Sequence, residues 1–385
     1  MFLLWWWACG APSADRTLPV AASVARAELE APRAEGREEG SVSIVAMGDI
    51  LVHQAVEDAA ATFAAREEED PRFGYNAVFD GIRPLVELSD LAFANLETPV
   101  APSRFRPRRP RVFNADPVVV DSLVDVGFDL VSLANNHAFD QGPEGLEETM
   151  EVLGKRALGY VGVGPTCEDA HAPFWVRHDD VSVAFLAATE ILNENWNVRD
   201  DATCAAVLTP AAIVNRAAEA RAAGADFVVL SLHWGDEYVI EPGVVRRRIA
   251  RTLVEGGVDV ILGHHAHVLQ PVERIETADG RAALVAYGLG NLVSNQAAWY
   301  RPGVHRSRSA RPRDGLALSF RLTRRRIGRG DARSVRREIV DVRAVPLWTI
   351  NNEPVRTRAS GTEIRVLPTR DAVAELLGEE PTDER

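Results

Sequence analysis

Lysine is nearly missing from this chain: Lys155 is the only one, and the other basic residues are all arginines. Cationic contacts are therefore planar and open to bidentate geometry almost everywhere. Cysteine is scarce too. With only Cys9, Cys167 and Cys204, one disulfide at most can close and one thiol is left over. No apolar run reaches the roughly 20 residues that a membrane-crossing helix needs. An excess of positive charge is also lacking, since 56 acidic residues face 43 basic ones for a net charge of -13. That balance excludes a general nucleic-acid binder, whose affinity rests on neutralising phosphates, so no nucleic-acid partner is expected. What is present is enough apolar material for a sizeable core: 46% hydrophobic residues, 26% charged and a mean hydropathy of -0.10. Spread over 385 residues, this composition fits one large soluble domain or two ordinary ones.

The first forty residues divide in two. Phe2 to Ala8 is apolar, contains Trp5, Trp6 and Trp7, and ends at Ala8-Cys9, the form in which a bacterial lipoprotein signal presents its lipidated cysteine. This predicts an exported or cell-envelope protein with a lipid anchor at Cys9; without a targeting role for the segment, the chain would be cytoplasmic. Residues 11 to 40 are rich in Ala, Pro, Arg, Glu and Gly, have no hydrophobic period and read as a tether.

From Ser41 a repeated pattern begins. The β-branched run Ser41 to Met47 stops at Gly48-Asp49, Leu91 to Ala94 runs into Asn95-Leu96-Glu97, and Asp129 to Ala134 runs into Asn135-Asn136-His137. Phe227 to Leu232 likewise reaches His233-Trp234, and Val258 to Leu262 reaches Gly263-His264-His265. Each is a buried strand delivering polar residues at its end. Between them, Leu146, Met150 and Leu153, then Ile213, Ala217 and Ala220, then Val245, Ile249 and Leu253 recur at helical spacing. Strands alternating with helices predict an α/β core with its site beyond the carboxyl ends of the strands. Ala283 to Tyr287, Leu316 to Leu322 and Ile339 to Val345 read as further strands. One domain over 41–350 is expected, followed by a tail over 351–385 with a short helix near Asp371 to Leu377.

Six of the nine histidines, His53, His137, His233, His264, His265 and His267, fall in these clusters with Asp49, Glu97, Asn136 and Asp140. A single histidine is usually a surface or hydrogen-bonded core residue; their joint placement after strands points to a site. Imidazoles, carboxylates and amide oxygens without thiolates suit divalent Mn, Fe or Zn, not a structural zinc finger. Two such ions sharing a carboxylate would polarise a phosphoryl oxygen and activate water.

The order of the motifs over about residues 43 to 300 resembles the CapA-type family of capsule, or poly-γ-glutamate, synthesis proteins within the calcineurin-like metallophosphoesterases. The strings that carry the resemblance run from Met47 to His53, Ala94 to Val100, Ser132 to Gly142, Ser231 to Glu237, Gly263 to Val268 and Tyr287 to Asn291. Each is short; their order carries the resemblance. It implies a four-layer αββα sandwich and two divalent metal ions. Asn136-His137 with Asp140 is similar to the Asn-His-x-x-Asp of nucleotidase-like phosphoesterases, so Asn136 would ligate a metal, with His137 and Asp140 as catalytic residues. At i and i+3 on a first helical turn, Asp140 can hold His137 in one tautomer, although it also suits a helix N-cap or first-turn acid. His265 and His267 resemble the superfamily's final His-x-His, His264 is an alternative ligand, and His233 resembles the lone strand-end ligand. Glu97 stands where ordinary members carry a bridging aspartate, and Asp49 with His53 is a stretched Asp-x-His. Asn95, Asn135 and Asn291 are candidates for metal or substrate contact, or are turn residues. Trp234 reads as packing.

Arg104, Arg106, Arg108, Arg109 and Arg111 follow the Glu97 string and suit either a clamp for an anionic small molecule or polymer or a solvated loop. The arginines of 301–313 and 321–337 read as strand-edge protection. Three functions follow: a metal-dependent phosphoester hydrolase, a non-catalytic factor binding or exporting a polyanion, and a metal-dependent γ-glutamyl amide hydrolase.

Overall fold

In the computed structural model, residues 36–67, 71–104, 111–194, 196–197, 202–301, 304–328, 334–352 and 361–369 are described. The first half runs β1 (Arg37–Ile50), α1 (Gln54–Glu67), α2 (Pro71–Phe79), α3 (Arg83–Glu87), β2 (Leu91–Leu96), α4 (Val118–Val126), β3 (Leu130–Ser132), α5 (Gly142–Lys155) and β4 (Gly159–Val161). Next come β5 (Val163–Gly164), α6 (Cys167–Ala170), β6 (Phe174–His178), β7 (Val181–Thr189), β8 (Cys204–Ala205), α7 (Pro210–Ala222), β9 (Phe227–His233), α8 (Gly243–Glu255) and β10 (Val260–His264). Strands then dominate: β11 (Val272–Glu276), β12 (Ala282–Ala286), β13 (Asn291–Val293), β14 (Asp314–Ile327), β15 (Ser334–Asn351) and β16 (Ile364–Pro368).

Alternation along β1 explains the layering. Val42, Ile44 and Ala46 point one way, Val45 and Met47 the other, and all are buried, so this strand needs cover on both faces. It lies inside an eight-stranded mixed sheet ordered β16-β15-β14-β1-β2-β3-β4, with β13 also paired to β1. The second sheet has six strands in the order β11-β12-β10-β9-β7-β6. Inner faces of the two sheets meet in one apolar layer where Phe93 stacks on Phe185 at 6.0 Å between ring centroids. Helices cover the outside: Val56, Phe79, Leu123, Leu146 and Leu153 pack on the first sheet, and Ile213, Ala217, Ala220 and Leu253 on the second. The result is the expected αββα sandwich. On α8 the buried stripe is Ala250, Leu253 and Val254, while Val245 is exposed, so the apolar face is rotated from its predicted position.

Three sequence expectations change. β1 starts at Arg37, inside the supposed tether, because Glu38 pairs with Arg321 and Arg325 and Glu39 with Arg324 and Arg326 on neighbouring β14. For the same reason the arginines of β14 are not edge protection: β14 is flanked by β1 and β15, and its arginines also meet Glu338 and Asp341. Arg313, at the end of a 3₁₀ turn over Ser307–Arg313, is buried between the Tyr300 and Trp348 rings and donates to the Ala297 and Ala298 carbonyls. Finally, the sheet continues past residue 350, since β16 pairs antiparallel with β15 and buries Ile364 and Val366. The helix expected near 371–377 and Cys9 lie outside the described residues. Among the described residues Cys167 and Cys204 form a disulfide, and no helix is long and apolar enough to cross a membrane.

Candidate metal centre

Parallel register brings the polar strand ends side by side. Asp49 at the end of β1 is level with Asn95 on β2 and Asn291 on β13, and His264 on β10 is level with His233 on β9. Gly48 makes the first alignment possible, because a Cβ there would lie 2.0 Å from the Gly290 carbonyl oxygen. The two sheets then meet through Asp49, whose Oδ1 is 3.0 Å from His264 Nδ1 and whose Oδ2 is 3.2 Å from His267 Nδ1. Glu97 follows β2, and its Oε1 stands 3.5 Å from His233 Nε2 and 3.7 Å from His267 Nε2. His265 and His267 both adopt left-handed backbone, with φ of 83° and 55°. A non-glycine residue held there costs about 1–3 kcal/mol, a strain typical of ligand-holding turns.

Amides fill the spaces between charges. Asn95 donates to Asp49 Oδ1 at 2.9 Å and Asn135 donates to the Leu96 carbonyl at 2.9 Å, so both orient their neighbours. Asn136 Oδ1 is 2.9 Å from His233 Nε2, and Asn291 Oδ1 is 3.0 Å from His267 Nδ1. A second arm begins at His137, whose Nδ1 is 2.8 Å from Asp140 Oδ2; the same carboxylate oxygen accepts from the Phe113 backbone N–H at 2.7 Å. Asp140 is therefore a buried partner of His137, and the cap of α5 is Gln141.

Residues 43–296, about two thirds of the chain, match the family described as "Bacterial capsule synthesis protein PGA_cap". The chain belongs to this family. Among relatives, this PGA_cap chain is 27% identical over 305 residues to the "PGA biosynthesis protein CapA" of Bacillus subtilis, covering 78% of this chain and 73% of that protein. It is 28% identical over 285 residues to the "Capsule biosynthesis protein CapA" of Bacillus anthracis, covering 72% and 65%. It therefore spans less than two thirds of the Bacillus anthracis protein. Among solved structures, the NAD nucleotidase NadN of Haemophilus influenzae aligns over 80% of this chain and 55% of that one, at 12% identity and a TM-score of 0.40. A hypothetical protein of Thermus thermophilus aligns over 77% and 98%, at 15% identity and a TM-score of 0.41.

The PGA_cap site has the donor set a divalent ion needs. Three groups, Glu97 with His233 and His265, Asp49 with Glu97 and His267, and Glu237 with His265 and His267, each place their ligating atoms within 4.8 Å of one another. Glu97 Oε1 and His265 Nδ1 are buried with no hydrogen-bond partner, a costly state that a bound cation would relieve; His264 Nε2, in none of the three groups, is buried without a partner too. Electrostatics agree. Burial, then the charges of Asp49, Glu237 and Asp140, push the Glu97 carboxyl well above its usual range, and a cation would reverse that push. Burial also opposes ionisation of Asp49, but hydrogen bonds and charge from His264 and His267 override it and hold Asp49 well below the usual carboxylate range. Burial lowers His233 and His265, reinforced by neighbouring imidazoles, which keeps ring nitrogens free to coordinate.

Not every expected residue of the PGA_cap chain joins these groups. His53 is outside all three: its Nδ1 is 3.3 Å from both the Leu51 carbonyl and the Asn295 N–H, and its ring meets Phe113 edge-on. His264 touches Asp49 and belongs to none of them. Arg104 and Arg111 are exposed, Arg111 acts electrostatically on Tyr238 at the site's mouth, and Arg106, Arg108 and Arg109 lie outside the described residues. Trp234 packs, stacking on Tyr287 and donating its Nε1–H to the Tyr287 carbonyl at 3.0 Å. Sequence reading missed Glu237, although it closes one of the quoted strings. It also missed Phe113, whose ring covers His137 at 4.5 Å between centroids, and Asn193, whose amide is 3.4 Å from His137 Nδ1.

Proposed function

We propose that this protein is a metal-dependent hydrolase of phosphoester type, acting at the cell envelope on an anionic substrate in capsule or poly-γ-glutamate metabolism. The observation that carries the reading is the buried, unpartnered Glu97 Oε1 set between imidazoles of the opposite sheet, beside an independent His137–Asp140 pair. Asp49, Glu97, His233, His265 and His267 would hold the ions, with Asn136 offering an amide oxygen. When bound, divalent ions supply Lewis-acid activation of the scissile group and of water. Asp140 accepts the Nδ1 proton of His137, which orients the ring; when Nε2 is protonated as well, the imidazolium would give that Nε2 proton to the leaving oxygen and keep the Nδ1 proton on Asp140. The Phe113 backbone N–H, bonded to the same carboxylate, keeps Asp140 from rotating away. The Phe113 ring excludes water from one face of His137.

An envelope location is supported by the Cys167–Cys204 disulfide, because such bonds persist in oxidising compartments. The family names point the same way. Arg111 beside the mouth favours an anionic substrate and also supports the second reading, a polyanion-binding factor. A screen of phosphomonoester, phosphodiester and γ-glutamyl substrates, before and after chelation, separates the readings. Phosphoester cleavage that is lost with the metal supports the first. Cleavage of γ-glutamyl substrates alone transfers the site to amide hydrolysis. Tight polyanion binding with no cleavage of any substrate, unaffected by His265→Ala, leaves only the binding factor.

A further inference from the structure

Exposed apolar side chains are unevenly spread over this protein. Of the twelve large ones among the described residues, five, Tyr238, Val239, Ile240, Val244 and Val245, fall within eight positions of the chain and are between 38% and 80% exposed. The next densest stretch holds only Trp299 and Val304. A single exposed valine needs no explanation, but a run of five marks a surface that something covers. The charges around the run are already matched: Asp236 pairs with Arg246 at 3.5 Å and Glu241 with Arg247 at 3.3 Å. Its apolar side chains are the part left facing water.

The run is held in place. Gly235 N–H donates to Glu190 Oε2 at 3.0 Å, Tyr238 N–H donates to the Ala266 carbonyl at 2.8 Å, and the Gln270 side-chain amide donates to the Val239 carbonyl at 2.6 Å. Tyr238 has left-handed backbone, with φ of 64°, a conformation that a tyrosine keeps only when its surroundings enforce it. Its ring lies 6.1 Å from that of His267, so the run begins at the mouth of the metal centre and leads away to the first turn of α8. At that mouth the exposed Arg111, also left-handed with φ of 71°, brings a guanidinium whose charge acts on Tyr238. Cation and apolar surface therefore adjoin at Tyr238.

We propose that this strip holds the apolar chain of an amphiphilic substrate, a phosphoester whose anionic head enters the centre beside Arg111 and whose aliphatic tail lies along Tyr238, Val239, Ile240, Val244 and Val245. The inference rests on the phosphoester reading and names its substrate class. A free anion would need only the cation, and self-association only the apolar strip; their junction at the mouth fits the head and tail of one molecule.

The test is calorimetric titration of the full chain, in manganese chloride, with methylphosphonate and with octylphosphonate below its micelle concentration. Wild type is compared with two double variants, Val239→Ser with Ile240→Ser and Val244→Ser with Val245→Ser, and near-ultraviolet circular dichroism checks the fold. The expected result is octylphosphonate binding at least about 10-fold tighter than methylphosphonate in wild type, a preference cut to below about 3-fold in the first variant and narrowed in the second, with methylphosphonate affinity kept. Equal affinity for the two probes, binding of neither, or a chain preference untouched by both variants overturns the inference. So does loss of methylphosphonate binding in a folded variant, because the substitutions would then act on the centre and not on the tail. A wild-type dimer that these substitutions dissociate overturns it as well, and assigns the strip to a second copy. A wild type that keeps the chain preference but cleaves no phosphoester removes the hydrolase reading and leaves the amphiphile site standing.

Discussion

At the carboxyl ends of their strands the two sheets offer different chemistry. The eight-stranded sheet presents acids and amides, Asp49, Asn95, Glu97, Asn135 and Asn136, joined by Asn291 at the start of β13, level with Asp49, whereas the six-stranded sheet presents the imidazoles His233, His264, His265 and His267. Each side has its exceptions, and they sort by role. His53 and His137, the histidines on the acid side, are outside all three metal-competent groups, and Glu237, the acid that joins those groups from the imidazole side, is the exposed one. Both buried groups, unlike Glu237 with His265 and His267, take their oxygens from one sheet and their nitrogens from the other. Ion binding would therefore tie the sheets together, adding to the apolar layer between them.

The strongest way to break this division is to remove the acid at its centre. Glu97→Gln is expected to abolish tight metal binding and reduce hydrolysis to background in a folded protein, read by metal analysis and a phosphoester assay. Replacing the unligated imidazole should separate catalysis from binding. His137→Ala is expected to keep the metal and lose about 10²–10⁴-fold in kcat, as the removal of a general acid does. A metal-free His137→Ala protein would instead put that histidine among the ligands. Truncation in the apolar layer tests the other bond between the sheets: Phe93→Ala should cost about 3–5 kcal/mol in urea unfolding, with metal stoichiometry unchanged.

The smallest expected effect belongs to His53. Burial pushes its imidazole down to about 4, against an opposing hydrogen bond to the Leu51 carbonyl and with help from His267 and His137. The unfolded chain therefore binds the extra proton between about pH 6.5 and about pH 4, so this residue's contribution to stability is intact above that window and falls as the pH drops through it. The total is about 3 kcal/mol for a shift of this size. His53→Gln should flatten the acid side of the stability profile of the chelated protein by about that amount; an unchanged profile would mean that His53 is not held neutral.

Much of this division was legible in the sequence. Apolar runs ending in Asp49, Glu97, His233 and His264 marked both the strands and the side on which their ends meet, because a strand buried on both faces has no polar residue to spare before its end. Register was not legible: the pairing of Asp49 with both Asn95 and Asn291 depends on the close approach of Gly48 to Gly290, which no periodicity records. Charged strand ends were hidden for a different reason. Residues 37–40 and the arginines of β14 have no apolar pattern and are ordered by pairing with each other. Glu237 escaped because an exposed acid in a turn looks like solvated surface until the His265–His267 turn is folded against it.

The central claim, that one metal centre joins an acid sheet to an imidazole sheet, is tested most directly by the melting temperature of the stripped protein with and without added manganese or zinc. At a free ion concentration about 100 times the Kd, the account predicts about 2.7 kcal/mol of added stability and a Tm higher by several degrees, lost again on chelation. A well-folded protein that takes up neither ion and melts at the same temperature in every condition would contradict it.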